Sequence, residues 1–138
     1  MLWSLRQADV VKISDNEVEF LWNCTPEEGA DKLLMEFGVS LAMVTLGPDG
    51  CLLKTRTAAF RAVCPKVHPV DTTGAGDAFW GAFLSLLRFR GVTRAEELTE
   101  PLIREAMTYG NVGGWLCVQS KGAIASLPSW QEIRRHLA

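Results

Sequence analysis

The stretch Asp71-Thr72-Thr73-Gly74-Ala75-Gly76-Asp77 decides how this sequence is interpreted, because it joins a predicted strand to a strongly amphipathic predicted helix. Gly74 and Gly76 lack the side chains that would keep a phosphate away from the backbone. The N–H groups in the first turn of a helix have no partner within the helix, and the helix dipole adds to their attraction for anions. We name residues 71–77 the phosphate loop. Their sequence predicts an anion site with backbone N–H donors at residues 75–77.

Asp77 stands in the first turn of that helix, where the dipole stabilises a carboxylate. A carboxylate in this position can accept the proton of an attacking hydroxyl. Catalysis of phosphoryl transfer consists mostly of positioning and of neutralising charge on the moving group, so an anion site beside a base suits this reaction. The alternative is that Gly74 and Gly76 only form a turn and that Asp77 only supports the helix.

Two other phosphate-binding motifs are excluded by their spacing. The dinucleotide fingerprint GxGxxG fails because the next glycine after Gly76 is Gly81. A Walker A loop needs a glycine directly before Lys-Ser or Lys-Thr, and Lys54-Thr55 follows Leu53.

The composition is that of one globular domain over residues 1–138. The chain is 48% hydrophobic with a formal charge of −2 and no basic block, which argues against nucleic acid or an anionic membrane surface as a partner. The apolar runs fall far short of the ~20 residues that span a bilayer. No secretory signal is visible, so we expect a cytoplasmic protein. The four cysteines form no CxxC pair, and we expect buried, reduced thiols.

Strand and helix alternate along the chain, with a β-hairpin in the middle, which indicates an α/β layered fold. The apolar run at residues 41–46 is typical of a strand buried on both faces, as in parallel sheets. The predicted strands are residues 8–13, 41–46, 51–56 and 59–63, and the predicted helices are residues 16–22, 26–37, 78–91, 101–118 and 129–137.

The longer string Asp-Thr-Thr-Gly-Ala-Gly-Asp-Ala-Phe-Trp-Gly-Ala-Phe at residues 71–83 resembles the C-terminal signature of the ribokinase-like (pfkB) carbohydrate kinases. The resemblance implies a ribokinase-like three-layer fold, a sheet with flanking helices, and ATP-dependent phosphorylation of a sugar. It implies that Asp77 is the base that activates the sugar hydroxyl and that Gly74, Ala75 and Gly76 form the anion hole.

Asn16-Glu17-Val18-Glu19 fits the N-x-x-E motif of this family, which acts near magnesium and the phosphates. Asn16 and Glu19 share one face of a helix. Because Mg²⁺ usually keeps several waters, Glu19 is expected to act through one. A solvated helix N-terminus is the alternative explanation of these four residues.

The stretch from Thr45 through Gly47 to Gly50 resembles the strand and turn on the nucleotide side of the family, which implies that these three residues contact the nucleotide. A Pro-Asp-Gly turn also forms without a ligand. Asn111 matches a position that lines the adenine pocket in relatives, or else it is a polar residue at a helix–helix contact. Gly113 and Gly114 indicate close packing, with the nucleotide as one candidate neighbour.

Residues 120–128 resemble the C-terminal loop of the family, which binds a monovalent cation, often potassium, together with the start of the signature. One carboxylate and several backbone carbonyls suit a hard cation, whereas the alternative is a plain glycine turn. The implied ligands are Asp71, Thr73, Cys117, Ser120, Gly122 and Ser126.

The resemblance covers only about the C-terminal half of the family, without the lid and the sugar pocket. The strand at residues 10–13 then has an unpaired edge, so we expect self-association or a missing N-terminal half. The sequence looks closest to bacterial fructokinases, with ATP, Mg²⁺ and potassium as cofactors and a small sugar as the other substrate. The alternative function is a non-catalytic nucleotide-binding remnant or assembly module.

Overall fold

The structure is a computed structural model that describes residues 2–138. The chain divides into two compact units, Met1–Arg61 and Ala62–Ala138. The assignment of residues 1–138 to one domain stays a prediction.

The described residues of the first unit form a four-stranded sheet and three α-helices. The order of its strands and of its two longer helices is the predicted one. The boundaries of these elements differ from the predicted boundaries by one or two residues. In chain order the elements are α1 (Leu2–Leu5), β1 (Val10–Ser14), α2 (Asp15–Trp22), α3 (Pro26–Glu36), β2 (Leu41–Thr45), a short 3-10 helix (Gly47–Asp49), β3 (Cys51–Lys54) and β4 (Ala59–Ala62), which ends at the first residue of the second unit.

The sheet has the strand order β1-β2-β3-β4 and is mixed. β1 is parallel to β2, with Val11 opposite Ala42 and Ile13 opposite Val44. β2 is antiparallel to β3, with Val44 opposite Leu52. A mixed sheet with helices confirms the predicted α/β class, and β1 stands at one end of the strand order.

The core of the first unit forms where α2 and α3 cover one face of this sheet. The side chains of β1, β2 and β3 on that face pack with Val18 of α2 and with Leu33 and Leu34 of α3. Four of the five residues of β2 are buried, as predicted for a strand covered on both faces.

Both longer helices of this unit begin with a capping box. The Ser14 hydroxyl accepts from the Glu17 N–H, and the Glu17 carboxylate accepts from the Ser14 N–H at 2.8 Å. The N–H and hydroxyl of Ser14 lower the pKa of the Glu17 carboxyl. Thr25 and Glu28 cap α3 in the same way, and Gly38 follows that helix with φ of 77°.

The second unit consists of three helices, α4 (Ala75–Phe89), α5 (Glu100–Cys117) and α6 (Trp130–Leu137), with a short 3-10 helix at Ala95–Glu97. The apolar stripe of α4 is buried, as its 3.6-residue period predicted. Ala82 of α4, Val112 of α5 and Ile133 of α6 form a shared cluster. α6 begins one residue after the predicted start, because Ser129 is its N-cap.

The glycines of α5 allow α4 to approach it closely. A Cβ on Gly113 would lie 2.8 Å from the Ala82 Cβ, and one on Gly114 would lie 3.3 Å from the Ala75 carbonyl oxygen. The neighbour of these glycines is therefore the helix that begins in the phosphate loop. The prediction of close packing at Gly113 and Gly114 is confirmed, and a contact with the nucleotide stays a prediction.

Two short elements, the hairpin strands and two of the cysteines differ from the predictions. The helix α1 and the turn Ala95–Glu97 were not predicted, and the two hairpin strands are shorter than expected. Within residues 2–138, the four cysteines are thiols and form no disulfide. Cys51 and Cys117 are buried as predicted, but Cys24 and Cys64 are half-buried, and burial raises the pKa of the Cys64 thiol. Within residues 2–138, none of the helices has the length and apolar character needed to cross a membrane.

Candidate functional site

The phosphate loop presents free backbone donors at the start of α4. Gly74 is the N-cap, and the N–H of Ala75 donates to the carbonyl of Thr72 at 3.2 Å. The N–H groups of Gly74, Gly76 and Asp77 donate to no acceptor within residues 2–138. Unpaired donors at a helix N-terminus are the elements of an anion site. Ala75, one of the predicted anion-hole residues, has its N–H engaged within the turn.

Gly74 is required by the conformation of the loop and by its surroundings. Its φ is 85° and its ψ is −4°, which is the left-handed region that side chains disfavour. A Cβ at this position would also lie 3.1 Å from the carbonyl oxygen of Ala123. The phosphate loop therefore lies directly against residues 118–128, which we name the C-terminal loop.

Asp77 is the predicted base of the phosphate loop, and this role stays a prediction. It lies in the first turn of α4, and its side chain is exposed. Its carboxylate makes no hydrogen bond or ion pair to the described residues 2–138. A carboxylate that the protein leaves unpaired beside free N–H donors is available to a substrate hydroxyl.

Asp71 joins the two loops through its carboxylate. Its Oδ1 accepts from the Thr73 N–H at 2.9 Å, and its Oδ2 accepts from the Gly122 N–H at 3.0 Å. These backbone N–H groups, Gly122 first and then Thr73, hold the pKa of the Asp71 carboxyl below its usual value. Asp71 is therefore negatively charged at neutral pH.

The six predicted cation ligands lie in one contact network. Besides the contacts of Asp71, the Gly122 carbonyl accepts from the Ser126 N–H at 3.1 Å, and the Cys117 carbonyl accepts from the Ser120 N–H at 3.4 Å. The Cys117 thiol joins Ser126 and Thr73. Each carbonyl retains a second lone pair, so this donor set of one carboxylate, carbonyls and a hydroxyl fits a hard monovalent cation.

The predicted nucleotide residues of the first unit gather where β1 and β2 end. Ser14 and Thr45 are opposite each other at the carboxyl ends of these parallel strands. Asn16 follows directly in α2 and is exposed, as is Glu19. Ligands of open α/β sheets bind at this edge.

The turn after β2 also lies at that edge. Gly47 has φ of 55°, and a Cβ added to it would meet nothing within 4 Å, so its surface is open. Gly50 has φ of 91° and ψ of −127°, a conformation open essentially to glycine alone, and its carbonyl accepts from the Leu46 N–H at 2.8 Å. The shape of the turn therefore depends on glycine at position 50 and on a hydrogen bond within the turn.

Asn111 is buried in α5, with 7% of its surface exposed. Its Nδ2 donates to the Val63 carbonyl at 3.3 Å, which ties α5 to the segment that leads towards the phosphate loop. The partner of Asn111 lies outside any helix, so this bond is not the helix–helix contact that was the alternative, and the adenine role stays a prediction.

The described residues 2–138 contain no group of three or more acidic, histidine or cysteine side chains that could hold a metal. Mg²⁺ in phosphoryl transfer needs only one or two carboxylates, because waters and substrate phosphates fill its other positions. The exposed carboxylate of Glu19 fits such a site through a water.

Sequence reasoning missed the side-chain role of Cys117 and the contact between Gly74 and Ala123. Only the backbone carbonyl of Cys117 was predicted to bind the cation. No role was predicted for its thiol, because the sequence does not show which loops meet there. The Gly122 N–H was also missed, since its partner Asp71 is 51 residues away.

Comparison with known proteins identifies relatives along nearly the whole chain. The family model described as "pfkB family carbohydrate kinase" matches residues 2–130. Fructokinase-1 of Oryza sativa subsp. japonica is 41% identical over 133 residues, which cover 92% of this chain and 39% of that protein.

Two solved structures show the same fold. The structure of a fructokinase double mutant from Vibrio cholerae O395 with fructose, ADP and potassium has a TM-score of 0.86 and 33% identity, covering 99% of this chain and 43% of that one. The aminoimidazole riboside kinase of Salmonella enterica, bound to aminoimidazole riboside and an ATP analogue, has a TM-score of 0.83, 34% identity and coverages of 99% and 44%. The chain thus spans about two fifths of the length of the relatives it matches.

Proposed function

The chain belongs to the pfkB family of carbohydrate kinases, and from this premise we propose that it acts in the ATP-dependent phosphorylation of a sugar hydroxyl, with fructose as the first candidate. One observation carries the proposal: the phosphate loop offers free N–H groups at Gly74, Gly76 and Asp77 beside an unpaired carboxylate. The same stretch supplies donors for a phosphate and a base for a hydroxyl.

The proposed reaction uses the phosphate loop in two ways. Asp77 accepts the proton of the sugar hydroxyl as its oxygen forms a bond to the γ-phosphorus of ATP, and the bond from that phosphorus to the β,γ-bridging oxygen breaks to release ADP. The free N–H groups of the loop stabilise the negative charge on the transferring group. Asn16, Glu19, Thr45, Gly47, Gly50 and Asn111 are the proposed nucleotide contacts.

Two ions are part of the proposal. When bound, Mg²⁺ neutralises charge on the nucleotide phosphates, and Glu19 would hold it through a water. Asp71, Thr73, Cys117, Ser120, Gly122 and Ser126 would hold a potassium ion, and these residues would then keep the two loops together next to the nucleotide.

The choice of fructose rests on the relatives, among which fructokinases are prominent. Aminoimidazole riboside is bound in another related structure, so a nucleoside-like sugar is the second candidate. Neither candidate is selected by the residues of the phosphate loop, which contact the phosphate and the reacting hydroxyl.

Binding of Mg-ATP tests the proposal directly. We expect isothermal titration calorimetry to detect binding by this chain and a reduction of about tenfold or more for Gly74→Ala, because the added Cβ forces the loop away from Ala123. Gly91→Ala is the matched control: Gly91 has φ of 81° but nothing within 4 Å, so its alanine variant carries a similar backbone strain away from the loop. Absence of Mg-ATP binding by the wild type, or equal loss in both variants, contradicts the proposal.

A phosphorylation assay separates this function from the second candidate. That candidate is a nucleotide-binding module without turnover. Fructose phosphorylation by this chain, alone or mixed with the N-terminal segment of a fructokinase, supports the kinase. Nucleotide binding without turnover in both arrangements supports the module.

We also propose that β1 is an association edge. Within residues 2–138 it pairs only with β2, and its sequence, Val-Val-Lys-Ile-Ser, carries alternating buried side chains. We expect sedimentation velocity to show species larger than the monomer, whose fraction rises with concentration or on adding the N-terminal segment of a fructokinase. A single monomeric species together with slow amide exchange across β1 is the result that argues against it.

A further inference from the structure

The phosphate loop and the C-terminal loop meet along several contacts. The Val118 carbonyl accepts from the N–H groups of Val70 at 2.7 Å and Asp71 at 3.3 Å. The Asp71 carboxylate accepts from the Gly122 N–H, and Gly74 lies against Ala123. The position of the donors at the start of α4 therefore depends on how the C-terminal loop is held.

The Cys117 thiol lies between these two loops. Cys117 is the last residue of α5, and none of its surface is exposed. Its Sγ is 3.1 Å from the Ser126 Oγ in the C-terminal loop and 3.8 Å from the Thr73 carbonyl oxygen in the phosphate loop. One side chain thus ties both loops to the end of the same helix.

The hydrogen-bond chemistry of this contact favours a defined arrangement. The Ser126 hydroxyl can donate to the Ala123 carbonyl at 3.4 Å, which leaves its lone pairs free. The thiol is a weak donor, and it can then donate to the Ser126 oxygen or to the Thr73 carbonyl, which are both within its hydrogen-bonding distance. In either case, the thiol donates to one of these two oxygen atoms and contacts the other, and both are among the proposed cation ligands.

We propose that the Cys117 thiol is a positioning group for the cation site: by fixing the Ser126 hydroxyl and the Thr73 carbonyl, it sets the affinity of the two loops for potassium and couples potassium to nucleotide binding. The inference rests on the proposed function for the role of the phosphate loop. It assigns to the side chain of Cys117 a role separate from that of its backbone carbonyl.

The size and polarity of the group at position 117 should therefore control the effect of potassium. Cys117→Ala removes both contacts and leaves a small void between the loops. Cys117→Ser keeps a donor at the same site, so it should restore part of the coupling. Cys24→Ala is the control, because Cys24 is a half-buried thiol of the first unit, packed on its core.

Calorimetric titration with Mg-ADP, in potassium chloride and in tetramethylammonium chloride at equal ionic strength, measures the coupling. We expect potassium to tighten binding by the wild type and by Cys24→Ala. We expect that gain to fall about fivefold or more in Cys117→Ala and to return in part in Cys117→Ser. A gain that is the same in all four proteins overturns the inference, while Mg-ADP binding itself leaves the proposed function intact.

Thiol labelling of the unmodified chain gives a second measurement that needs no variant. Because Cys117 has no exposed surface, iodoacetamide reaches it only when the loops separate. We expect potassium alone to slow labelling of Cys117, mapped by peptide mass, and to leave labelling of Cys24 unchanged. Equal rates with and without potassium overturn the inference. The labelling rate is measured without nucleotide. A failure of nucleotide binding would contradict the proposed function, and calorimetry detects it separately.

Discussion

Asp77→Asn is expected to lower phosphoryl transfer by about 10²- to 10⁴-fold, which is the usual contribution of a general base. The asparagine keeps the size of the side chain but cannot take up the proton of the sugar hydroxyl. The free N–H groups of the loop remain, so Mg-ATP should still bind with an affinity close to that of the wild type. The loss therefore falls on kcat and not on nucleotide binding.

The measurement uses whichever arrangement gives turnover of fructose by the wild type, the chain alone or the chain with the N-terminal segment of a fructokinase. Calorimetry with Mg-ATP is carried out on the same proteins. Glu100→Gln is the matched control, because Glu100 is also a carboxylate in the first turn of a helix of the second unit. It pairs with Arg104 across one turn of α5, and its loss should leave turnover unchanged.

Two outcomes would contradict the assignment of Asp77. Undiminished turnover of Asp77→Asn means that another group, or no group, accepts the proton. A large loss of Mg-ATP binding means that the carboxylate holds the loop in shape. That second outcome would return Asp77 to the structural role that the sequence left open.

Local chemistry is what the sequence predicted well. The string of residues 71–83 identified the loop, the helix and the family. The glycines of a loop and an acid at the start of a helix are both explained by chemistry within a few residues. The turn at Gly47 followed for the same reason. These features depend on neighbours within a few residues, so a pattern along the chain contains them.

Contacts between distant segments are what the sequence could not predict. The bond between Asp71 and the Gly122 N–H joins residues 51 apart, and the thiol of Cys117 meets Thr73 across 44 residues. A lone cysteine and a glycine turn are compatible with many arrangements, so only the fold shows which groups meet. The short helix α1 was missed because four residues are too few to show a helical period.

The glycines of α5 also separate what the sequence pattern predicts from what only the fold shows. Their presence inside a helix predicted close packing, since each costs about 1 kcal/mol relative to alanine. Which neighbour was close could not be read from α5 alone. The structure places Ala78 and Ala82 of α4 against Gly113, within two turns of the phosphate loop.

Gly113→Ala and Gly81→Ala are therefore expected to change stability in opposite directions. A Cβ on Gly113 would lie 2.9 Å from the Ala78 carbonyl oxygen and 2.8 Å from the Ala82 Cβ, and neither atom can move without moving α4. Overpacking of this kind costs about 1–3 kcal/mol, which exceeds the gain in helix propensity. Gly81 lies on the exposed face of α4 with nothing within 4 Å, so its alanine variant should be more stable by about 0.5–1 kcal/mol.

Chemical denaturation of both variants, followed by circular dichroism, measures these changes, and calorimetry with Mg-ATP links them to the site. Because α4 begins in the phosphate loop, a displaced α4 in Gly113→Ala should also weaken Mg-ATP binding, whereas Gly81→Ala should bind as the wild type does. If Gly113→Ala is as stable as Gly81→Ala, α4 and α5 do not approach each other as tightly as these distances indicate. If Gly113→Ala is destabilised but binds Mg-ATP normally, the loop holds its shape independently of the packing of α4, and the contacts of Asp71 and Cys117 with the C-terminal loop must be sufficient to fix the donors.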